Sequence, residues 1–395
     1  MISLELPRAR PNDFTKVLPV VEEVIREVRE GGDRALIRLE ERFDGVKLDS
    51  VVEDRVDELA SRVPRDLKDA IDHIYEQLVE FQSSIKPRDF VGRSRGVEYG
   101  VVWRPIRRVG IYVPGGGRAY PSTLLMAGVP ARVAGVEEIY VATPPSRIDP
   151  VICYISKKLG VKRLYRLGGA QAIAAFAYGT ESVVRVDKVV GPGNIYVQAA
   201  KFLVSRDVGI DGIEGPTELV VIADESANPR DVILDMRAQA EHGPATFIVL
   251  ISTSRELINE VTNELKDDEN MYYLVEVSSV DEAIEIANEL APEHLSLYVR
   301  DPHRYLGKVV NAGAVSLGHT PPAIIDYAAG PNHILPTNQW ARFRSGLTVY
   351  DFLKPIMYAN AEEPEEELVK SAMALARYEG FELHARSIGV RYGWE

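Results

Sequence analysis

From residue 98 onward, short apolar runs alternate with helical stretches. Three of the strand-to-helix passages are glycine-rich: PGGG at 114–117, GGAQ at 168–171 and GPGN at 191–194. This pattern constrains the fold more than any other feature of the chain. A strand that returns parallel to its predecessor needs a long crossover, usually a helix, so alternation of this kind builds parallel sheets. Strands are expected at 109–113, 138–143, 163–167, 187–190, 218–223, 246–251, 272–277 and 296–299. Helices are expected around 121–134 and at 170–177, 195–204 and 230–242. The number of units predicts two sheets of α/β class, Rossmann-like but incomplete, each mainly parallel.

The first ninety residues read differently. Leu18, Val21, Val24, Ile25 and Val28 recur at helical spacing, a Gly-Gly-Asp break falls at 31–33, a second helix follows at 34–43 and a third pattern runs over 54–81. The last fifty residues carry the acidic run EEPEEE and a helix ending near Glu379, which read as an arm outside either sheet. The expected organisation is an N-terminal segment (1–17), a discontinuous α/β domain (18–110 with 217–345), an inserted α/β domain (111–216) and a C-terminal arm (346–395).

Composition excludes several function classes. Lys plus Arg is 46 against 59 Asp plus Glu, a net charge of −13, the reverse of a nucleic-acid or anionic-membrane binder. Cys153 is the only cysteine, which rules out an internal disulfide framework and a cysteine-based structural zinc site. The N-terminus lacks the apolar core of a signal peptide, and no apolar stretch is long enough to span a bilayer. A cytoplasmic protein is expected.

Five features could carry chemistry, the first of them shared by three turns. The three glycine-rich turns stand where backbone N–H groups and a helix N-terminus can hold phosphate, although a glycine there can be purely steric. No G-x-G-x-x-G fingerprint accompanies them. In AQAEHGP, Gln239 and His242 lie three apart and could share a metal, or could simply end a helix at Gly243. In APEHL, Glu293 and His294 put two proton-transfer groups together just before a strand. The turn-rich run 325–352 holds Asp326, Asn332 and His333, and so irregular a stretch is more often functional than filler. The tail motif EGFELHARS holds Glu379 and His384 and could be only an amphipathic helix.

Taken in order, GIYVPGGGRAYPSTLLM, GGAQAIAAFAYGT, VVGPGNIYV, GPTELVVIAD, QAEHGP, APEHL, DYAAGPNHILPT and EGFELHARS make the chain resemble the histidinol dehydrogenase family over residues 109–386. The resemblance implies an NAD-dependent, zinc-containing enzyme that oxidises L-histidinol through L-histidinal to L-histidine. It implies one zinc per subunit on Gln239, His242, Asp326 and His384. It gives His294 the role of base and Glu293 that of water activator, and places NAD contacts at Tyr112, Gln171 and Asn194. Substrate contacts implied are Thr217, His333, Glu379 and His294 with the four zinc ligands. His384 and Glu379 would come from the partner of an intertwined homodimer. Thr217 stands where the family more often has serine, and Ile325 where it usually has glycine. The alternatives are a related zinc- and NAD-dependent dehydrogenase of another amino alcohol or diol, a non-catalytic metal- or nucleotide-binding protein, and a metallohydrolase using Glu293.

Overall fold

The computed structural model describes residues 2–3, 14–115 and 119–394. The chain forms two compact units, Met1–Lys86 with Ile106–Phe352 and Pro87–Pro105 with Leu353–Glu395.

The first unit contains two parallel sheets. One has five strands in the order Arg163–Arg166, Glu138–Thr143, Arg108–Tyr112, Lys188–Val190 and Gly209–Ile210. The other has six: Ile2–Ser3, Tyr272–Glu276, Phe247–Ser252, Glu218–Ala223, His294–Tyr298 and Ala314–Leu317. Glu218–Ala223 and Phe247–Ser252 are buried at every position, because helices cover both faces of a parallel sheet; this is why they read as unbroken apolar runs.

The N-terminal helices pack differently from the division expected from sequence. Leu18–Phe43 buries Val21, Val24, Val28, Leu36 and Leu39 in one cluster with Ala170, Ala172, Ala174, Ala175 and Ala177 of Gly169–Tyr178. Val56–Ser61 packs on Pro150–Leu159, and Arg65–Ser84 on Pro121–Ala134. All three therefore clothe the five-stranded sheet rather than joining 217–345. An amphipathic period shows that a helix has a buried face but not which sheet covers it. The alanine-rich helix supplies the close approach that selects this partner.

The break expected at 31–33 is a kink: Leu18–Phe43 runs on through Gly32, which adopts φ 52°. A Cβ there would collide with the Glu181 carboxylate, which also accepts from Asp33 N at 2.8 Å. The single pattern expected over 54–81 is instead two helices, separated where Pro64 takes an extended conformation and caps the second.

The second unit is a three-stranded antiparallel sheet, order Leu353–Asn360, Val97–Pro105 and Phe90–Ser94, with the helices Glu366–Tyr378 and Glu382–Tyr392. The arm expected from residue 346 thus begins at 353 and includes a hairpin from much earlier in the chain. Strand pairing between segments 250 residues apart leaves no trace in local periodicity.

Candidate active site

Both sheets contribute strand ends to one cavity of about 380 Å³. Pro114 and Pro192 lie just beyond the carboxyl ends of two strands of the five-stranded sheet. Thr217 and Glu293 stand at the amino ends of two paired strands of the other. The helix Pro229–Ala240 runs back from the far edge of that sheet, so its C-terminal end delivers Gln239 and His242 to the same place. The cavity is completed by His294, Asp326 and His333. Seven of the residues singled out in the sequence therefore share one wall-to-wall space. A larger groove of about 820 Å³, beside Arg26 and Phe202, holds none of them.

Register brings Glu293 and His294 to the cavity. His294 opens its strand opposite Leu219, which sets Glu293 beside Glu218 and Thr217. Glu293 Oε2 accepts from Thr217 Oγ1 at 2.5 Å and from Glu218 N at 2.8 Å. Burial pushes its pKa up to about 7, although His294 and these two donors pull the other way. His294 Nε2 lies 3.2 Å from Asp326 Oδ1. Burial alone would lower the imidazole, but the Asp326 carboxylate and then Glu293 outweigh it and the net shift is upward. His333 Nδ1 meets the Asp326 carbonyl at 2.8 Å, and its burial lowers it. The sequence placed His294 in a loop; it is the first residue of the strand, which fixes its backbone in the sheet.

The donor set suits a borderline divalent cation. Asp326 Oδ1 is buried, lies 3.2 Å from His294 Nε2 and makes no hydrogen bond among the described residues. Gln239 Nε2 donates to Thr217 Oγ1 at 2.6 Å, so the amide carbonyl is the end of this side chain that could meet a cation. His242 lies not on the helix, as expected, but in the turn after Ala240, exposed, with Gly243 at φ 114°. Among the described residues no three His, Cys, Asp or Glu side chains gather as a metal cluster. Of the set expected, this unit supplies only one imidazole and one carboxylate beside the Gln239 amide.

Tyr112, Gln171 and Asn194 border a second cavity, of about 420 Å³, with Gly168, Gly169 and Gly115. Each glycine-rich turn does follow a strand. Gly191 has φ 123°, and a Cβ there would stand 2.1 Å from the Tyr112 carbonyl, so no other residue fits. Asn194 Oδ1 accepts from Tyr196 N and Val197 N, capping the helix behind it. Gly116 and Gly117 of the first turn lie outside the described residues.

Glu379 and His384 belong to the second unit, at the end of Glu366–Tyr378 and within Glu382–Tyr392, and both are exposed. Cys153 is buried, and burial pushes its thiol up to about 12, so it packs rather than reacts. Sequence reasoning passed over Glu40, Glu218 and Asp235. Glu40 and Asp235 sit among ordinary helical polar residues, and only Glu218, a carboxylate opening an apolar strand, carried a signal. No described helix is long and apolar enough to cross a membrane.

Two parallel sheets that present opposite strand ends to a cavity holding Glu293, His294 and Asp326, with a separate glycine-lined cavity at strand ends of one of them, are the arrangement of an α/β enzyme of the dinucleotide-dependent oxidoreductase class. The histidinol dehydrogenase family model matches residues 8–392, and the chain belongs to that family. The histidinol dehydrogenase of Sulfolobus acidocaldarius is 65% identical over 99% of this chain and 100% of its own. That of Thermus thermophilus is 45% identical over 94% of this chain and 95% of its own. The crystal structure of histidinol dehydrogenase from Elizabethkingia anophelis superposes with a TM-score of 0.93 at 32% identity, covering 99% of this chain and 98% of that one.

Proposed function

We propose that the chain oxidises L-histidinol to L-histidine, the closing oxidations of histidine biosynthesis, in two hydride transfers to two NAD⁺. The observation that carries the reading is the side-by-side placement of Glu293 and His294 in one cavity with Thr217, Gln239, His242, Asp326 and His333.

NAD⁺, when bound, supplies the hydride acceptor in both steps. In the first, His294 takes the hydroxyl proton of the alcohol while hydride leaves its carbon, giving the aldehyde. In the second, Glu293 takes a proton from water as the oxygen adds to the aldehyde carbonyl, and His294 returns its proton to the former carbonyl oxygen, giving the hydrate and a neutral imidazole. His294 then takes the hydrate proton as the second hydride leaves, and the acid results. Glu293 is fitted to accept a proton near neutral pH because burial has raised it, and Thr217 and Glu218 hold it in place. Zinc, when bound by Gln239, His242, Asp326 and His384, supplies a template for the imidazole and amine of the substrate. Tyr112, Gln171 and Asn194 border the cavity assigned to NAD⁺. His384 and Glu379 would act in trans in a homodimer. Leu375, Tyr378, Phe381 and Leu383 of the same unit are exposed, which supports a partner there.

The test is stoichiometry. Purified protein with zinc, NAD⁺ and limiting L-histidinol should form about two NADH per substrate, one for each hydride, and a chelator should abolish it. One NADH per substrate, or full activity after demonstrated loss of metal, would overturn the reading.

A further inference from the structure

The helix Leu18–Phe43 carries one carboxylate into the interior. Glu40 is fully buried, and no described cation pairs with it. Its Oε1 accepts from Gly168 N at 2.8 Å and from Gln171 Nε2 at 2.9 Å, while Oε2 has no partner among the described residues. Burying a carboxylate without a cation is costly, and leucine at this place would pack at lower cost. Burial pushes its pKa to about 7, with Asp44 adding to the effect and the two hydrogen bonds opposing it.

What Glu40 touches is the second glycine-rich turn, and Glu40 and Gln171 both border the 420 Å³ cavity. The turn's first two N–H groups are already engaged: Gly168 N on Glu40, and Gly169 N on the Tyr112 hydroxyl at 3.1 Å. A phosphate would find neither donor, and a carboxylate behind them. An isolated glutamine amide can present either end. Because Glu40 takes Nε2, Gln171 keeps Oε1 as its acceptor, standing over Gly169, whose missing Cβ would come within 2.9 Å of it.

We propose that Glu40 is a positioning residue that turns the GGAQ corner from a phosphate-binding turn into a nucleoside-binding one, by holding Gln171 with its carbonyl ready for a hydroxyl or amino group of the dinucleotide. This rests on the reading of the cavity as the NAD⁺ site. The phosphates then lie elsewhere in the cavity.

Steady-state kinetics of the zinc-loaded enzyme test it, with adenosine and inorganic pyrophosphate as inhibitors competing with NAD⁺. Glu40→Ala should raise KM for NAD⁺ and the adenosine inhibition constant together, about tenfold. kcat, KM for histidinol and the pyrophosphate constant should stay within about twofold. Glu40→Gln, whose oxygen can still accept from both donors, should recover most of the loss; a merely structural role gives no such split. If the alanine variant does not fold, Glu40→Leu replaces it. Unchanged KM in Glu40→Ala, with a rise in Gln171→Ala, overturns the role of Glu40 and leaves the cavity assignment standing. No change in either variant overturns the assignment itself. Tighter pyrophosphate binding with adenosine unmoved would make the turn a phosphate site and sink the proposal.

Discussion

Thr217 donates to Glu293: its Oγ1 lies 2.5 Å from Glu293 Oε2 and also accepts from Gln239 Nε2 at 2.6 Å. One hydroxyl thus orients both the carboxylate proposed to activate water and a proposed metal ligand. Thr217→Val removes the donor and the acceptor with little change in volume. A hydrogen bond to a charged group contributes about 1.5–3 kcal/mol, so aldehyde oxidation should fall by one to two orders of magnitude. Thr217→Ser, which keeps the hydroxyl, should stay within about threefold. Stopped-flow NADH formation from histidinal measures both, and equal losses in the two variants would contradict the bridging role.

The raised pKa of Glu293 gives a pH signature. The carboxyl is protonated below about 7 and becomes a base above it. Oxidation of histidinal should therefore fall as pH drops through 7. Glu293→Gln should lose this step by at least tenfold, with a flattened profile, while sparing the oxidation of histidinol to the aldehyde. The groups facing Glu293 are His294, Thr217 and Glu218. A Glu293→Gln profile that still falls below pH 7 would assign the titration to one of the others.

Much of this was legible in the sequence because parallel strands and glycine-rich turns are local patterns. The strand Glu218–Ala223 and the helix Ile195–Val204 fall at their expected positions. The convergence of Thr217, Glu293 and Asp326 in one cavity followed only from the family resemblance, since residues a hundred positions apart meet through sheet register. Glu40 was invisible for a different reason. Its helix shows a regular apolar face, and nothing local separates a glutamate pointing to solvent from one pointing to Gly168. Nor could periodicity show the pairing of Leu353–Asn360 with Val97–Pro105, because neither strand has an alternating buried face: the first is exposed beyond Leu353 and the second is buried only at Gly100.

Glu40 also makes stability depend on pH. Its folded-state pKa of about 7 lies above the ordinary 4.5, so the folded protein binds the proton more tightly than the unfolded chain. The stabilising contribution is present in full below about 4.5 and disappears as pH rises to about 7. Glu40→Gln removes the titration. Relative to the variant, the native protein should lose stability between pH 4.5 and about 7, by at most about 3.5 kcal/mol at about 1.4 kcal/mol per pKa unit. Melting temperatures of both proteins across that range give the comparison. A constant difference would show that Glu40 does not titrate there.

The strongest test of assembly is complementation. His242 lines the cavity of the first unit, whereas His384 lies on an exposed helix of the second. If His384 reaches the partner's cavity, a dimer of one His242→Ala and one His384→Ala subunit contains one site with both residues intact and one with neither. Each variant alone has no intact site. Mixing the two by co-expression and purifying the heterodimer with two tags should restore about half of native activity, with about one tightly held zinc per dimer. A site built from a single chain predicts the reverse: every site in the heterodimer lacks one ligand and activity stays at the level of the parents.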